Sequence, residues 1–326
     1  MKLFHSLLYP LLGGLFCLSC SDDEQDSGTK QPTTAGEVTF GVDLTGFSTR
    51  VTQDGSSWND GDKIGTYVLD MKTLEPVTEA ANVPYVCSEE GASVSFTSTT
   101  PLKVQNDGTP VKFVAYYPYN ADVRNFNYPV QLAAQERGST ACDLLYAATK
   151  EEYTYSPENE PHISLNFTHR LAKVILKFVN MEKEPLEVSD VRIEGMQTAA
   201  SFNIQTDVLT VDESSVATIN PYHNATTGFY EAIILPSALT DSYKVSFVLD
   251  DREKEWIFTN LDIALPQFHK GYSYTFALYI DDSGFVEMGR LENVEGGNSS
   301  APWEDGSSED GTAEGDKTPV LSLIHI

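Results

Sequence analysis

The sequence predicts an all-β fold built from two antiparallel β-sandwich domains in tandem, and three observations support this. Runs of alternating apolar and polar residues recur along the chain, and a period of two is typical of strands with one buried face. Asp-Gly and Asn-Asp-Gly turn signals separate these runs. No amphipathic helical pattern exceeds two turns, and the best short one covers residues 132–137. One sandwich rarely needs so long a chain, so two are expected.

The alternation also predicts the individual strands. The first strand carries its apolar residues at Val38, Phe40, Val42 and Leu44. Later strands with the same period are predicted at 111–117, 172–178, 243–249 and 272–280. Lys173 and Lys177 then fall on the face opposite the apolar residues of their strand. The boundary between the sandwiches is placed near Asn166, because the polar, proline-bearing segment 156–161 precedes it.

The N-terminus predicts export and lipid attachment. Lys2 precedes an apolar run from Leu7 to Leu18, which is too short to span a bilayer and has the layout of a signal peptide. The run ends in Leu18-Ser19-Cys20, and a small residue before a cysteine favours lipidation of Cys20. Several acyl chains make a stable anchor. The acidic residues directly after Cys20 favour display on the outer membrane, at the cell surface.

The predicted organisation follows from these features. The segments are a signal peptide at 1–19, a lipidated flexible tether at 20–36, an N-terminal sandwich at 37–165, a C-terminal sandwich at 166–305, an acidic disordered tail at 306–320, and a stretch at 321–326 that matches the translation of a sequencing adaptor.

Charge and motif content exclude several classes of function. The formal net charge of −27 repels phosphate backbones, so nucleic-acid binding is not expected. The sequence has no G-x-S-x-G, H-E-x-x-H, P-loop or dinucleotide fingerprint. His169 has no nucleophile motif beside it and is interpreted as a structural histidine near a sheet edge. We therefore expect no enzymatic activity and no cofactor.

Two clusters of polar or aromatic residues are candidate binding sites. Asp54, Asn59, Asp60 and Asp62 could hold calcium, but their spacing is not that of an EF-hand, and a turn with capping side chains is favoured, with Trp58 as a packing anchor. No metal site is therefore predicted. Tyr116, Tyr117 and Tyr119 could stack on sugar rings. Completion of the core is favoured for these tyrosines, because Tyr117 continues the alternation of its strand.

Cys87 and Cys142 are the two cysteines beyond the lipidation signal. In an oxidising compartment they could form a disulfide. Two separate thiols are equally compatible with the sequence, since spacing along the chain does not supply the geometry that a bridge needs.

Several segments together resemble the fimbrillin or Mfa-like family of type V pili. The segments are Thr49-Arg50, Ser57 to Gly65, Ala115 to Tyr119, Asp143 to Ala147, Leu165 to Val174, Leu265-Pro266 and Gly271 to Thr275. Their order covers nearly the whole chain after the signal peptide. The resemblance implies two transthyretin-like sandwiches and export as a lipoprotein.

The resemblance also implies a mode of assembly. An arginine-specific protease would cut between Arg50 and Val51 and release the strand that carries Val38, Phe40, Val42 and Leu44. The departure leaves unpaired backbone groups beside an apolar groove. A strand from another pilus subunit can fill that groove, and the head-to-tail contact propagates into a fibre.

Two functions are therefore compatible with the sequence. The first is a structural or accessory subunit of a surface adhesive pilus, at the stalk, tip or anchor. The second is a surface lipoprotein that binds a glycan or host ligand and never polymerises.

Overall fold

The computed structural model describes residues 35–43, 58–78, 81–91, 93–135, 142–158, 160–181, 186–259, 265–281, 286–291 and 300–302. Within these residues the regular secondary structure is β-strand, and no α-helix is present. The all-β prediction is confirmed.

The first half of the chain forms the strands β1 (Ala35–Glu37), β2 (Thr39–Asp43), β3 (Lys63–Asp70), β4 (Val83–Cys87), β5 (Ser93–Thr97), β6 (Lys103–Gln105), β7 (Val111–Tyr117), β8 (Asn127–Gln131), β9 (Leu145–Ala148), β10 (His162–Leu165) and β11 (Thr168–His169). The second half forms β12 (Ala172–Asn180), β13 (Val188–Glu194), β14 (Ala199–Asn203), β15 (Val208–Val211), β16 (Tyr222–Asn224), β17 (Phe229–Ile234), β18 (Ser237–Ala238), β19 (Lys244–Leu249), β20 (Arg252–Ile257), β21 (Gln267–Phe268), β22 (Tyr272–Ile280), β23 (Val286–Leu291) and β24 (Ser300–Pro302).

One large sheet organises the first half, in the order β10-β2-β5-β4-β3-β7-β9-β11, and β1 pairs separately with β6. Three strands lie between β2 and β7, which corresponds to about 19 Å across a flat sheet. The rings of Phe40 on β2 and Phe113 on β7 are nevertheless 5.8 Å apart. The sheet therefore curls over itself and encloses a core that includes Trp58, Tyr85 and Phe96.

Two further sheets enclose the core of the second half. One has the order β16-β17-β12-β22-β23, with β24 also paired to β22, and the other has the order β13-β19-β20. Their inner faces contribute Leu176, Phe247, Trp256 and Phe276 to one cluster, which Phe258 joins from the turn after β20. Most pairings in the molecule are antiparallel, whereas β2–β10 and β12–β22 are parallel.

A third apolar cluster joins the two halves. Tyr67 and Tyr116, on the outer face of the large sheet, share it with Phe202 and Ile233 from the second half. Strand β8 also pairs with β14, so a sheet crosses between the halves. The described residues consequently belong to one compact unit. Phe167 packs in the core of the first half, and Ala172 packs in the core of the second half. The division into two transthyretin-like domains with a boundary near Asn166 stays a prediction.

The predicted strands at 111–117, 172–178, 243–249 and 272–280 match β7, β12, β19 and β22 closely. The face opposite the apolar residues, where Lys173 is expected, is covered at this position, because Lys173 is 8% exposed and its Nζ lies 2.5 Å from a Glu231 carboxylate oxygen. The short helical pattern at 132–137 gives no helix over its described residues 132–135. There the side chain of Gln135 bonds to the backbone of Ile233. Its Nε2 donates to the Ile233 carbonyl and its Oε1 accepts from the Ile233 backbone N–H, both at 2.7 Å, so the segment is held against β17.

Candidate assembly site

The strand β2 near the start of the chain is paired on both sides. Strand β2 runs parallel to β10, with Phe40 opposite Ile163. On its other side it runs antiparallel to β5, with Phe40 opposite Phe96. The short strand β1 pairs with β6. Strand β2, from Thr39 to Asp43, is thus inserted between two other strands and does not lie at a sheet edge.

Its apolar side chains are completely enclosed. Val38 and Phe40 are 0% exposed and Val42 is 2% exposed. The Phe40 ring meets the Tyr85 ring edge to face at 4.8 Å, a favourable geometry for aromatic pairs. The alternation in the sequence therefore correctly identified which residues of this strand are buried. Leu44, predicted to belong to the same strand, lies outside the described residues.

The Tyr85 hydroxyl connects the strand to its surroundings. It donates to the Val38 carbonyl at 3.0 Å and accepts from the Leu102 amide at 2.8 Å. The Val38 amide in turn donates to the Leu102 carbonyl at 2.9 Å. Burial raises the pKa of Tyr85 to about 12, so the hydroxyl stays protonated and able to donate at neutral pH. This three-residue network satisfies backbone groups at the step between β1 and β2.

Two glycines allow close approach at this site. A Cβ atom on Gly36 would lie 2.5 Å from Cε2 of Tyr155 and 2.7 Å from Cγ of Pro161. A Cβ atom on Gly41 would lie 2.6 Å from Nε2 of His162. Any segment seated here therefore needs a small residue at the position of Gly36, because Tyr155 and Pro161 are buried, whereas His162 is exposed and its ring can move away from position 41. Sequence analysis missed this requirement, although the glycine just before the alternating residues was a visible signal.

The covalent connection between β2 and the rest of the chain runs through residues 44–57, which lie outside the described residues. Arg50 and Val51 belong to that connection, so their surroundings are not described. Cys20 lies outside the described residues as well. The lipid site and the processing site stay predictions.

Cys87 and Cys142 are thiols in the structure and do not form a disulfide. Cys87 lies in the core of the first half, where its Sγ is 2.9 Å from the Glu89 carbonyl oxygen. Cys142 packs against the cluster on the opposite face of the large sheet. A bridge would have to pass through the sheet, so the two separate thiols that the sequence left open are what the fold contains.

His169 and Asp143 form a buried pair. Nδ1 of His169 lies 2.7 Å from a carboxylate oxygen of Asp143, and His169 is 2% exposed. The histidine belongs to β11, the last strand of the large sheet. This location agrees with its interpretation as a structural histidine near a sheet edge. Among the described residues, no cluster of three or more His, Cys, Asp or Glu side chains could hold a metal ion.

The polar turn and the tyrosines follow the favoured interpretations. The Asn59 amide donates to the Asp62 carboxylate at 2.7 Å, and Trp58 is fully buried against Phe96 and Phe167. Tyr116 is 0% exposed and Tyr117 packs against the core of the first half. Within the described part of the chain, no helix has the length and apolar character needed to cross a bilayer.

Comparisons with known proteins agree with this architecture. The model of the fimbrillin-like family, Mfa-like 1, matches residues 49–303. A crystal structure described as a candidate cell adhesion protein from Bacteroides uniformis superposes with a TM-score of 0.63 at 23% identity, covering 79% of this chain and 97% of that chain. Another so described, from Bacteroides ovatus, gives a TM-score of 0.57 at 16% identity, covering 77% and 94%.

No curated protein is a significant match to the sequence. At these levels of sequence identity, the similarity between this chain and the two crystal structures shows a shared fold alone. The family match extends over most of the chain, and this chain belongs to the fimbrillin-like family.

Proposed function

We propose that this fimbrillin-like chain is a structural or accessory subunit of an adhesive pilus at the cell surface, and that it assembles by strand exchange after N-terminal processing. The observation that carries the proposal is the placement of β2. It lies between β10 and β5, its apolar side is buried in the core, and a single segment, residues 44–57, joins it to the rest of the chain. Arg50 lies in that segment.

Removal of an internal strand exposes more than removal of an edge strand. Both β10 and β5 would lose their backbone partners on the side facing β2. Burial of Val38, Phe40 and Val42 contributes roughly 1.5–3 kcal/mol for each side chain, and this would be lost as well. The emptied groove is therefore unstable until another strand fills it. A strand from a second subunit restores the backbone hydrogen bonds and the apolar contacts together.

The groove also sets the sequence that a donor strand must have. It requires apolar side chains at the positions of Val38, Phe40 and Val42. It requires a small residue at the position of Gly36, where a Cβ atom would meet the buried Tyr155 and Pro161 below 3 Å. A donor in the wrong register would place its polar side chains in the core, because a slip by one residue moves every side chain of a strand to the opposite face of the sheet.

Membership in the family supports a surface, adhesion-related and non-enzymatic role. In the proposed sequence of events, lipid on Cys20 first holds the chain at the outer membrane. An arginine-specific protease then cuts after Arg50, and β1 and β2 leave the groove. Other pilus subunits are the partners that fill it. A stalk, tip or anchor position is compatible with this sequence of events.

The test compares the wild-type protein with Arg50→Ala in cells that contain the protease. N-terminal sequencing of the wild-type protein is expected to give Val51, and electrophoresis without heating is expected to show a ladder of oligomers. The Arg50→Ala variant should keep its full N-terminal segment and stay monomeric. Arg252→Ala, at an exposed arginine of β20, is the matched control and should behave as wild type. A wild-type protein that retains β2 and still forms no ladder would refute the strand-exchange proposal.

The second candidate is a surface lipoprotein that binds a ligand and stays monomeric. It is favoured by an open cleft beside Tyr67, lined by Tyr119, Arg124 and Phe126. The experiment above separates the two candidates, because only a pilus subunit requires loss of β2.

A further inference from the structure

The cleft beside Tyr67 has the dimensions of a ligand site. Its volume is about 510 Å³, within the range of roughly 300–1,000 Å³ that is typical of small-molecule pockets. It lies on the outer face of the large sheet, between the connection after β3 and the hairpin that precedes β8. It is separate from the groove that holds β2.

The base of the cleft is aromatic. The rings of Tyr67 and Phe126 are 4.7 Å apart and inclined at 41°, and Tyr119 lines the same cleft. Phe126 adopts φ 62° and its neighbour Asn125 adopts φ 50°. The Asn127 amide donates to the Arg124 carbonyl at 3.0 Å, which closes a tight hairpin turn around these two residues. A phenylalanine in the left-handed region is strained, and such strain often marks a functional position.

The largely buried side chain of Tyr67 supplies a hydroxyl to the lining of the cleft. Tyr67 is only 3% exposed and lines the cleft, yet its hydroxyl forms no hydrogen bond with any described residue. Burial, with the nearby Tyr119 as a smaller contribution, raises the pKa of Tyr67 to about 12. The hydroxyl therefore stays protonated at neutral pH and can donate a hydrogen bond to a ligand.

Arg124 supplies the positive charge. Its Nη1 donates to the carbonyl oxygens of Ala121 at 2.6 Å and of Val123 at 2.9 Å, and these bonds orient the guanidinium. Its Nε and Nη2 groups have no partner among the described residues, and no described carboxylate is paired with it. That free edge of the guanidinium is the one that binds a carboxylate through two parallel hydrogen bonds.

We propose that this cleft binds a pyranose ring that carries a carboxylate, as in uronic or sialic acids. Arg124 binds the carboxylate, the Tyr67 hydroxyl donates to a ring hydroxyl or the ring oxygen, and Phe126 packs against the apolar face of the sugar. An arginine that is paired with no carboxylate in the described part of the chain concentrates the attraction for an anion, although the chain as a whole has a net charge of −27. Binding does not require polymerisation, so it does not depend on the strand-exchange proposal.

The test measures binding of the purified full chain by isothermal titration. Two acidic probes, trigalacturonate and 3′-sialyllactose, distinguish plant-type uronates from sialylated glycans. Galactotriose and lactose are their neutral counterparts. We expect at least one acidic probe to bind ten or more times more tightly than its neutral counterpart, with an affinity that falls as salt is added.

Two substitutions separate the contributions of the Arg124 charge and the Tyr67 hydroxyl to binding. Arg124→Gln should reduce the affinity for the acidic probe tenfold or more, and Tyr67→Phe, which removes only the hydroxyl, should reduce it about threefold to tenfold. Arg252→Gln and Tyr153→Phe are matched controls outside the cleft and should leave binding unchanged. Thermal unfolding of each variant shows whether its fold is intact.

Three outcomes would overturn the proposal: equal affinity for the acidic and neutral probes, acidic binding that persists in Arg124→Gln, or binding of triglutamate without binding of either acidic sugar. The last result would indicate an acidic peptide as the ligand. Failure of sugar binding would leave the ladder and the Val51 N-terminus intact, so the two proposals can fail separately.

Discussion

The rings of Phe40 and Phe113 meet edge to face at 5.8 Å, although three strands lie between β2 and β7 in the sheet. The contact exists because the sheet curls until its second strand faces its sixth. Phe40 therefore fills the centre of the first core. The segment proposed to leave during assembly also completes that core while it remains in place.

Replacement of Phe40 by alanine tests this role. Phe40 is 0% exposed, so Phe40→Ala should lower the free energy of unfolding of the uncut chain by about 3–5 kcal/mol, through lost transfer energy and a residual cavity. Urea denaturation measures the change. Val208→Ala, at a residue that is 51% exposed, should have little effect. A loss below 1 kcal/mol in the uncut chain would contradict the packing described.

Gly36→Ala tests the steric limit in the same strand. The new Cβ atom would lie 2.5 Å from the Tyr155 ring and 2.7 Å from Pro161, so β1 must shift and the chain should lose about 1–3 kcal/mol of stability. Gly91→Ala is the matched control, because its Cβ atom would meet Val94 at an ordinary 3.4 Å. Equal midpoints for both variants in thermal unfolding would show that the groove has more room than these distances allow.

The buried pair of Lys173 and Glu231 should be costly to break from one side. Asn224 donates to Glu231 at 3.0 Å, so the carboxylate has two partners. Lys173→Met alone leaves a buried, uncompensated carboxylate and should cost about 3–5 kcal/mol. The double variant Lys173→Met with Glu231→Leu should recover much of this loss. A double-mutant cycle measures the coupling energy between the two side chains. Additive losses of stability in the double variant would contradict the coupling.

An exposed pair provides the comparison. Nζ of Lys244 lies 2.7 Å from a Glu255 carboxylate oxygen at the surface of β19 and β20. Lys244→Met should leave the free energy of unfolding nearly unchanged, because water screens the exposed charges.

Asp62 and Asp70 should give opposite dependences of stability on pH. Desolvation raises the pKa of Asp62 in the folded state, despite hydrogen bonds from Asn59 and Tyr117 that lower it. The folded state then holds the proton more tightly than the unfolded state, so the Asp62 contribution falls as pH rises from the unfolded pKa to the folded pKa. Asp62→Asn should remove this fall and flatten the profile above about pH 4.

At Asp70 the dependence of stability on pH has the opposite sign. Hydrogen bonds from the Thr73 and Lys72 amides lower its pKa, so its stabilising contribution is present above the unfolded pKa and is lost as pH falls through the folded pKa. Asp70→Asn should therefore reduce stability at neutral pH and have less effect in acid. Unfolding free energies between pH 3 and 7 test both variants, and profiles that change in the same direction would refute the assignment.

The sequence by itself determined the fold class, the main strands and the family. Apolar alternation identified the buried faces at Val38, Phe40 and Val42, because a strand with one buried face needs a period of two whatever it packs against. Signals of that kind are local and can be read directly from the chain. The same holds for Trp58, whose place among turn residues indicated an anchor.

Tertiary structure alone decided which strands became neighbours and what they enclose. It placed β2 between β10 and β5, put Cys87 and Cys142 on opposite faces of a sheet, and buried Lys173 against Glu231. It also brought Tyr67, Arg124 and Phe126 to one cleft. These relationships join residues far apart in sequence, and they depend on how the large sheet curls and what covers its outer face. A local pattern carries no information about either.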